Sequence, residues 1–294
     1  MSEYRTETDK TERISPQLNC KLSAGLWAVL GDYSRKTNEP VSHILSKALA
    51  DYFQVRHSTL YQVSTATALI EGVYQGAVRI RTLREHGDLG LGTFENLDGE
   101  MMIVDGRFFQ ARSDGVVKEV DADVLCPFAV ITRFVPDSTV LLPHCPDWHH
   151  LAAQFDQLRH SDNFFFALRV EGHFDYVRTR AMCKTKEGVP LVQASAVQPE
   201  FELHDLAGTL VGFWTPEYAK TLNVPGYHLH FLSADHQHGG HLLQCSGSKL
   251  RLEIQREGDY RVALPETEDF VKADLQRDPS ADLAKAEGAK QPTQ

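Results

Sequence analysis

The segment Pro225-Gly226-Tyr227-His228-Leu229-His230-Phe231-Leu232-Ser233-Ala234-Asp235-His236-Gln237-His238-Gly239-Gly240-His241 concentrates more chemistry than any other stretch of the chain. His228 and His230 sit two apart in an apolar run, which as a strand puts both imidazoles on one face. A hairpin tip near Asp235-His236 sets position 241 opposite position 230, and directly paired residues of an antiparallel ladder share a face. His241 therefore joins the other two. Three converging imidazoles form the ligand set of a zinc ion that keeps one coordination position open for chemistry. Imidazole also suits nickel, copper, iron or manganese, so the ligand set alone leaves the metal open. His236 and His238 belong to the polar tip and read as solvated. His144, Cys145, His149 and His150 cluster in sequence, but adjacent histidines at a helix start rarely converge, and they read as surface groups.

Two other segments carry groups that could serve such a centre. Leu97-Asp98-Gly99-Glu100 runs through a turn and leaves Glu100 at the start of a strand, Met101 to Val104. Val177-Arg178-Thr179-Arg180 ends another strand with two guanidiniums. Taken alone, each is bland: an Asp-Gly-Glu turn is usually a hairpin and a strand-end arginine is usually solvated. Leu89-Gly90-Leu91-Gly92 is too sparse in glycine for a phosphate-binding loop.

The elements that must position these residues are mostly strands. Val78–Arg81, Met101–Val104, Ala129–Phe134, Phe164–Val170, Thr209–Phe213, Tyr227–Leu232, Arg251–Ile254 and Tyr260–Leu264 all read as β, punctuated by turn signals. Helical pattern is scarcer and is best over Trp148–Leu158, and the tail after Asp278 reads as loosely ordered. The expected fold class is α+β: a mostly β, mixed-sheet domain over residues 57–290, preceded by a small strand-helix-helix module over 14–56 and a polar tail over 1–13.

Composition bounds the function classes. The chain has 294 residues, 42% hydrophobic and 24% charged, enough for a sizeable core. Forty Asp and Glu against thirty Lys and Arg give a formal charge of −10. Bulk binding to nucleic acid or an anionic membrane is therefore disfavoured, and any anion site must be built locally. No apolar run approaches the length of a membrane span, and the first ten residues have no secretory-signal core. Five widely spaced cysteines suit reduced thiols in a cytoplasm.

The N-terminal module differs in character, with eight Lys and Arg against seven Asp and Glu over residues 1–56. Gln17-Leu18-Asn19-Cys20-Lys21-Leu22 alternates strictly, Ser23 can cap a helix through Leu26, Trp27, Leu30 and Tyr33, and Ser42 a second one through Ile44, Leu45, Leu49 and Phe53. This pattern resembles the ribbon-helix-helix family of DNA-binding dimers. The resemblance implies a homodimer whose outward Gln17, Asn19 and Lys21 contact DNA. The alternative reading of these residues is a small helical dimerisation module without a DNA partner.

From about residue 60 to 290, the chain resembles the acetolactate decarboxylase family. The resemblance rests on segments in one order: Gly92-Thr93-Phe94, Leu97-Asp98-Gly99-Glu100, Pro127-Phe128-Ala129, Val177-Arg178-Thr179-Arg180, Gly208 to Phe213, Gly226 to Phe231 and Gly239-Gly240-His241. It implies Zn²⁺ held by His228, His230 and His241, and catalytic roles for Glu100, Arg180 and, from the C-terminal tail, Glu287. Thr93 matches a residue lining the same site. Met182-Cys183-Lys184 departs from the family where a more Pro-rich stretch is expected, which bears on the choice between Arg178 and Arg180. The implied reaction is loss of CO₂ from 2-acetolactate to give acetoin. Its electrons flow into the neighbouring ketone to form an enediolate, stabilised by the Lewis-acidic metal. Arg180 would hold the carboxylate, and a buried glutamate would deliver the proton.

Two other readings compete. A ribbon-helix-helix regulator could use its decarboxylase-like domain to sense acetolactate, although intact His228, His230, His241, Glu100 and Arg180 argue for retained chemistry. A cupin-like oxygenase also begins with His-x-His on a strand, but no glutamate follows His230 closely enough to be its fourth ligand.

Overall fold

The computed structural model describes residues 20–37, 40–53 and 59–287. The chain divides into two compact units, residues 1–55 and 56–294.

In the first unit, Ala24–Thr37 (α1) and Val41–Tyr52 (α2) are helical. The Ser23 hydroxyl accepts from the Leu26 amide at 3.3 Å and caps α1, as the sequence implies. Helix α2 begins before the expected cap Ser42: the Pro40 carbonyl accepts from the Ile44 amide, so Pro40 leads into the first turn. Of the expected ribbon strand, residues 17–19 lie outside the described residues, and residues 20–22 have no regular structure. Gln17 and Asn19 thus fall outside the description, and Lys21 is exposed.

The second unit is mostly β. Its strands are Thr59–Val63 (β1), Val78–Arg79 (β2), Leu89–Thr93 (β3), Glu100–Val104 (β4), Arg107–Ala111 (β5), Val117–Glu119 (β6), Leu125–Cys126 (β7), Phe128–Thr132 (β8), Ser138–Cys145 (β9), Phe165–Arg180 (β10), Glu200–Thr215 (β11), Gly226–Ser233 (β12), Gly239–Glu257 (β13) and Asp259–Ala263 (β14). Seven form one mixed sheet in the order β14-β1-β8-β3-β4-β5-β6, in which β1 and β14 are parallel. Five form a second sheet, β10-β11-β12-β13-β9, and β10 also pairs with β13, so β10 to β13 close on themselves. Strands β2 and β7 make a small ribbon.

Burial on both faces explains why several strands read as continuous apolar runs rather than alternating ones. In β8, Phe128 and Val130 join the core shared by the two large sheets, whereas Ala129 and Ile131 join the core on the far side of the seven-stranded sheet. In β12, Leu229 and Phe231 fill the core of the closed sheet, while Leu232 faces the shared core. His228 and His230 alternate with Leu229 and Phe231, and so share a face with Leu232.

Short helices cover the margins: Ala66–Ile70 (α3), Ile80–Leu83 (α4), Trp148–Leu158 (α5), Leu191–Ser195 (α6), Glu268–Lys272 (α7) and Ser280–Glu287 (α8). Helix α5 has the predicted bounds, with the Asp147 side chain accepting from the His150 amide as its cap. Two expectations are corrected. The Val78–Arg81 run stops being a strand after Arg79, because the Ile80 and Arg81 amides bond to Val124 and Ala122 carbonyls as helix α4 starts. After Asp278, residues Ser280–Glu287 are helical: Asp278 accepts from the Ser280 amide, and Leu283 and Ala286, three apart, are buried against α3 and α6. Leu283 is the helix's single large apolar residue, so the sequence shows no clear stripe.

Candidate metal centre

His230 and His241 are direct register partners across β12 and β13, as the hairpin-centre argument requires. With His228 they offer three ligand atoms that all lie within 4.8 Å of one another. Among the described residues, no other three His, Cys, Asp or Glu side chains are so arranged. Gly240 allows the turn-in at φ 141°, where a Cβ would meet the Arg180 carbonyl at 2.6 Å.

His228, His230 and His241 are 9%, 1% and 7% exposed. Burial, with the Arg180 guanidinium adding to it, pushes His228 down to about 3; burial and His228 do the same to His230. His241 is also pushed well down by burial and then Arg180. All three are therefore neutral near pH 7, the form that binds metal. His230 Nδ1 donates to the Met101 carbonyl at 2.8 Å, which leaves the Nε2 lone pair directed elsewhere. That Nε2 is buried with no hydrogen-bond partner. An orphaned lone pair among three neutral imidazoles fits a divalent metal that takes nitrogen donors.

Around the triad the structure brings together every site residue expected from the sequence in this unit. Thr93, Glu100, Arg180 and Glu287 line the same cavity as the three histidines. Glu100 opens β4 after a turn whose Gly99 has φ 90°, and a Cβ there would lie 2.3 Å from the Ala111 carbonyl. Its Oε1 accepts from the Met182 amide at 3.1 Å, and its Oε2 is 3.6 Å from His230 Nε2. Burial raises the Glu100 carboxyl to about 8, against the lowering pull of Arg180. Arg180 is the last residue of β10; its Nη2 lies 3.3 Å from His241 Nε2 and 3.5 Å from Glu287 Oε2. Glu287 ends α8 with Oε2 also 3.7 Å from His241 Nδ1, and burial raises its carboxyl too, opposed first by Arg180.

The choice between the two arginines is geometric. Strand β13 bulges at Leu243 between the partners of Arg178 and Thr179, β10 itself runs unbroken against β11, and Arg180 at its end lines the cavity. Arg178 instead reaches Glu200 at 3.9 Å. Thr93 lines the cavity, and its hydroxyl donates to the Gly99 carbonyl at 2.8 Å. The 144–150 group does not converge, but Cys145 is a correction: it is fully buried in the closed-sheet core rather than at the surface. Leu69, Met182, Leu191, Val224 and Leu283 give the cavity an apolar part of its lining, which no chemical motif in the sequence marks. The Met182 amide could not be found from side-chain chemistry, since any residue but proline supplies it.

A cavity lined in part by apolar side chains and holding a metal-competent triad, a guanidinium and two buried carboxyls can seat a small oxygen-rich anion and move protons on it. The comparisons with known proteins agree with that arrangement. The alpha-acetolactate decarboxylase family model matches residues 60–277, ending before Glu287. The alpha-acetolactate decarboxylase of Methanosarcina mazei is 40% identical over 229 residues, 78% of this chain and 80% of that protein. That of Bacillus licheniformis is 37% identical over 231 residues, 78% of this chain and 91% of that protein. The crystal structure of the alpha-acetolactate decarboxylase from Bacillus subtilis strain 168 superposes with a TM-score of 0.76 at 36% identity, covering 79% of this chain and all of that one. With its two sheets, its histidine triad and these relatives, the chain belongs to the alpha-acetolactate decarboxylase family.

Proposed function

We propose that the chain decarboxylates 2-acetolactate to acetoin and CO₂, with Zn²⁺ bound by His228, His230 and His241. The observation that carries this reading is the convergence of the three neutral imidazoles with Glu100, Arg180 and Glu287 in one cavity. Zinc bound there would act as a Lewis acid for the charge that develops on the substrate's ketone and hydroxyl oxygens. The chain's own groups do the rest. Arg180 holds the substrate carboxylate through its planar fork of donors and supplies the local positive charge an acidic protein otherwise lacks. As the carbon–carbon bond to CO₂ breaks, the electron pair moves into the adjacent ketone and leaves an enediolate. Glu100, a side chain only 9% exposed and held by the Met182 amide, gives its proton to one face of the enediolate carbon and sets the configuration of acetoin. Glu287 is the more exposed carboxylate at 24% and pairs with Arg180, so its role is to orient that guanidinium. Thr93 lines the substrate cavity.

In this reading residues 57–290 are the decarboxylase domain, residues 14–56 an accessory ribbon-helix-helix-like module and residues 1–13 a tail. The module makes the chain a homodimer, and Gln17, Asn19 and Lys21 are its DNA-contacting candidates. No helix among the described residues is long and apolar enough to cross a membrane, and a cytoplasmic location is part of the proposal. The test is acetoin formation from racemic 2-acetolactate by zinc-loaded protein, with chelated protein as control. No acetoin from protein carrying one zinc per chain would refute the reading.

A further inference from the structure

We propose that Gln110, acting with Thr93, is a positioning residue that aims Glu100 by clamping the two peptide carbonyls immediately before it. The inference rests on the reading of Glu100 as proton donor and deepens it. Gln110 lies on β5 opposite Met101, is 5% exposed, and is not among the residues that line the cavity. Its side-chain amide donates to the Asp98 carbonyl. From β3, on the other side of β4, the Thr93 hydroxyl donates to the Gly99 carbonyl at 2.8 Å. The two strands flanking β4 therefore each spend a buried polar side chain on consecutive carbonyls of one turn. A buried amide in such apolar surroundings is costly unless bonded, so the bond to Asp98 is what makes Gln110 tolerable there.

The turn needs holding. Asn96 and Leu97 both adopt the left-handed region, at φ 61° and 53°, and Gly99 follows at 90°. A leucine stays in that region only where its surroundings over-determine it. The Asn96 amide bonds to the Tyr74 carbonyl, the Thr185 amide to the Asn96 carbonyl, and the Gly99 amide to the Leu97 carbonyl. With Gln110 and Thr93 these bonds fix the backbone one peptide before Glu100, and the Met182 amide fixes the carboxyl at the other end. Delivery of a proton to one face of a flat intermediate depends on the donor's position to a fraction of an ångström.

The experiment compares Gln110→Met, Thr93→Val, Thr93→Ser and Glu100→Gln in the zinc-loaded full chain. The readouts are kcat, KM, the optical purity of acetoin and zinc content, with hydrogen exchange of the 95–101 amides measured on metal-free protein. Gln110→Met keeps the volume but cannot donate. It should keep zinc and KM, lower kcat about 10- to 100-fold, erode the optical purity, and speed exchange over 95–101. Thr93→Val should also keep zinc, lower kcat, erode the optical purity and speed exchange over 95–101, and Thr93→Ser should restore them, which covers the case in which Gln110→Met does not fold. Wild-type kcat and optical purity in both Gln110→Met and Thr93→Val, alongside an inactive Glu100→Gln, would overturn the clamp alone. Wild-type turnover and optical purity in Glu100→Gln would instead overturn the donor assignment on which the clamp rests. Lost turnover with undiminished optical purity and unchanged exchange would also count against the clamp.

Discussion

His230 and His241 face each other directly across the β12–β13 ladder, while His230 also reaches through its second ring nitrogen to the Met101 carbonyl of the other sheet. One imidazole thus ties the two sheets together and presents an unpartnered lone pair between them. A group that only stabilised the sheets would not leave a buried nitrogen unsatisfied, because that omission costs about 1–3 kcal/mol.

The first prediction follows from that lone pair. His228→Ala, His230→Ala and His241→Ala should each weaken zinc binding by more than the roughly 10–100-fold cost of losing an outer partner of a metal ligand. Elemental analysis after gel filtration reads this directly. The fold should persist, since the cores of Phe155, Phe174 and Phe231 on one side and Leu91, Val130 and Phe213 on the other do not depend on the triad. Full zinc in the triple variant would sink the assignment.

Glu100→Gln and Glu287→Gln separate the two carboxyls. Each keeps its shape and loses its transferable proton. Turnover should fall by about 10²–10⁴ for Glu100 as the acid, and less for Glu287. Zinc content should remain close to stoichiometric in both. Equal, wild-type turnover in the two variants would mean that the proton comes from water or another group.

Arg180→Lys keeps a positive charge but loses the fork that grips a carboxylate through two parallel bonds. We expect kcat/KM for 2-acetolactate to drop by about 10²–10³, with zinc retained. Arg178→Lys, whose guanidinium pairs with Glu200 outside the cavity, should stay near wild type. Reversal of that order in steady-state kinetics would move the anion site to Arg178.

How much of this was legible in the sequence differs from residue to residue. The triad was readable because strand alternation and hairpin symmetry are geometric rules, and they place His241 opposite His230 without any knowledge of the core. Helix α5 was readable from its helical pattern over Trp148–Leu158, although its Asp147 cap was not. Arg180 over Arg178 depended on where along β10 the cavity lies; alternation puts both arginines on one face and cannot choose between them. Gln110 carries no motif, and its relevance appears only once β5 is paired with β4. Helix α8 was hidden because two buried residues, Leu283 and Ala286, suffice to dock it, too few to make a periodic signal.

Glu257 supplies a stability prediction away from the cavity. It is 3% exposed, its Oε2 has no hydrogen-bond partner, and its Oε1 accepts from Gln255 at 3.0 Å. Burial raises its carboxyl from 4.5 to about 8, with Asp137 and Asp259 adding to the rise and Thr132 and Gln255 opposing it. The folded state therefore holds a proton that the unfolded chain releases above 4.5. Stability should be full below that value and decline as pH rises toward 8. Glu257→Gln removes the decline. At pH 8–9 it should melt at least about 2–4 °C above wild type, on the order of 1 kcal/mol, and the gap should close near pH 4–5. An unchanged gap across that range, read by calorimetry, would contradict the assignment.

The last prediction concerns the N-terminal unit. Helix α1 buries only Leu30, yet Leu26, Trp27, Val29 and Tyr33 are 54%, 61%, 64% and 51% exposed. Tyr52 and Phe53 at the end of α2 are 81% and 66% exposed. Two helices of 14 and 12 residues are marginal on their own in water, and the buried groups among their described residues are too few to hold them together. A second copy of the same unit would bury these faces against each other, which is the arrangement expected of a homodimer. Trp27→Asp with Val29→Asp should therefore halve the sedimenting mass of the full chain at micromolar concentration. Decarboxylation per chain should not change, because the residues that line the cavity all belong to the second unit. If the paired units also bind DNA, binding should weaken steeply with salt as phosphate counterions are released, and Asn19→Ala and Lys21→Ala should weaken it further. The same variant pair tests both claims: an unaltered mass refutes the dimer contact, and DNA binding that survives monomerisation and high salt refutes a ribbon mode.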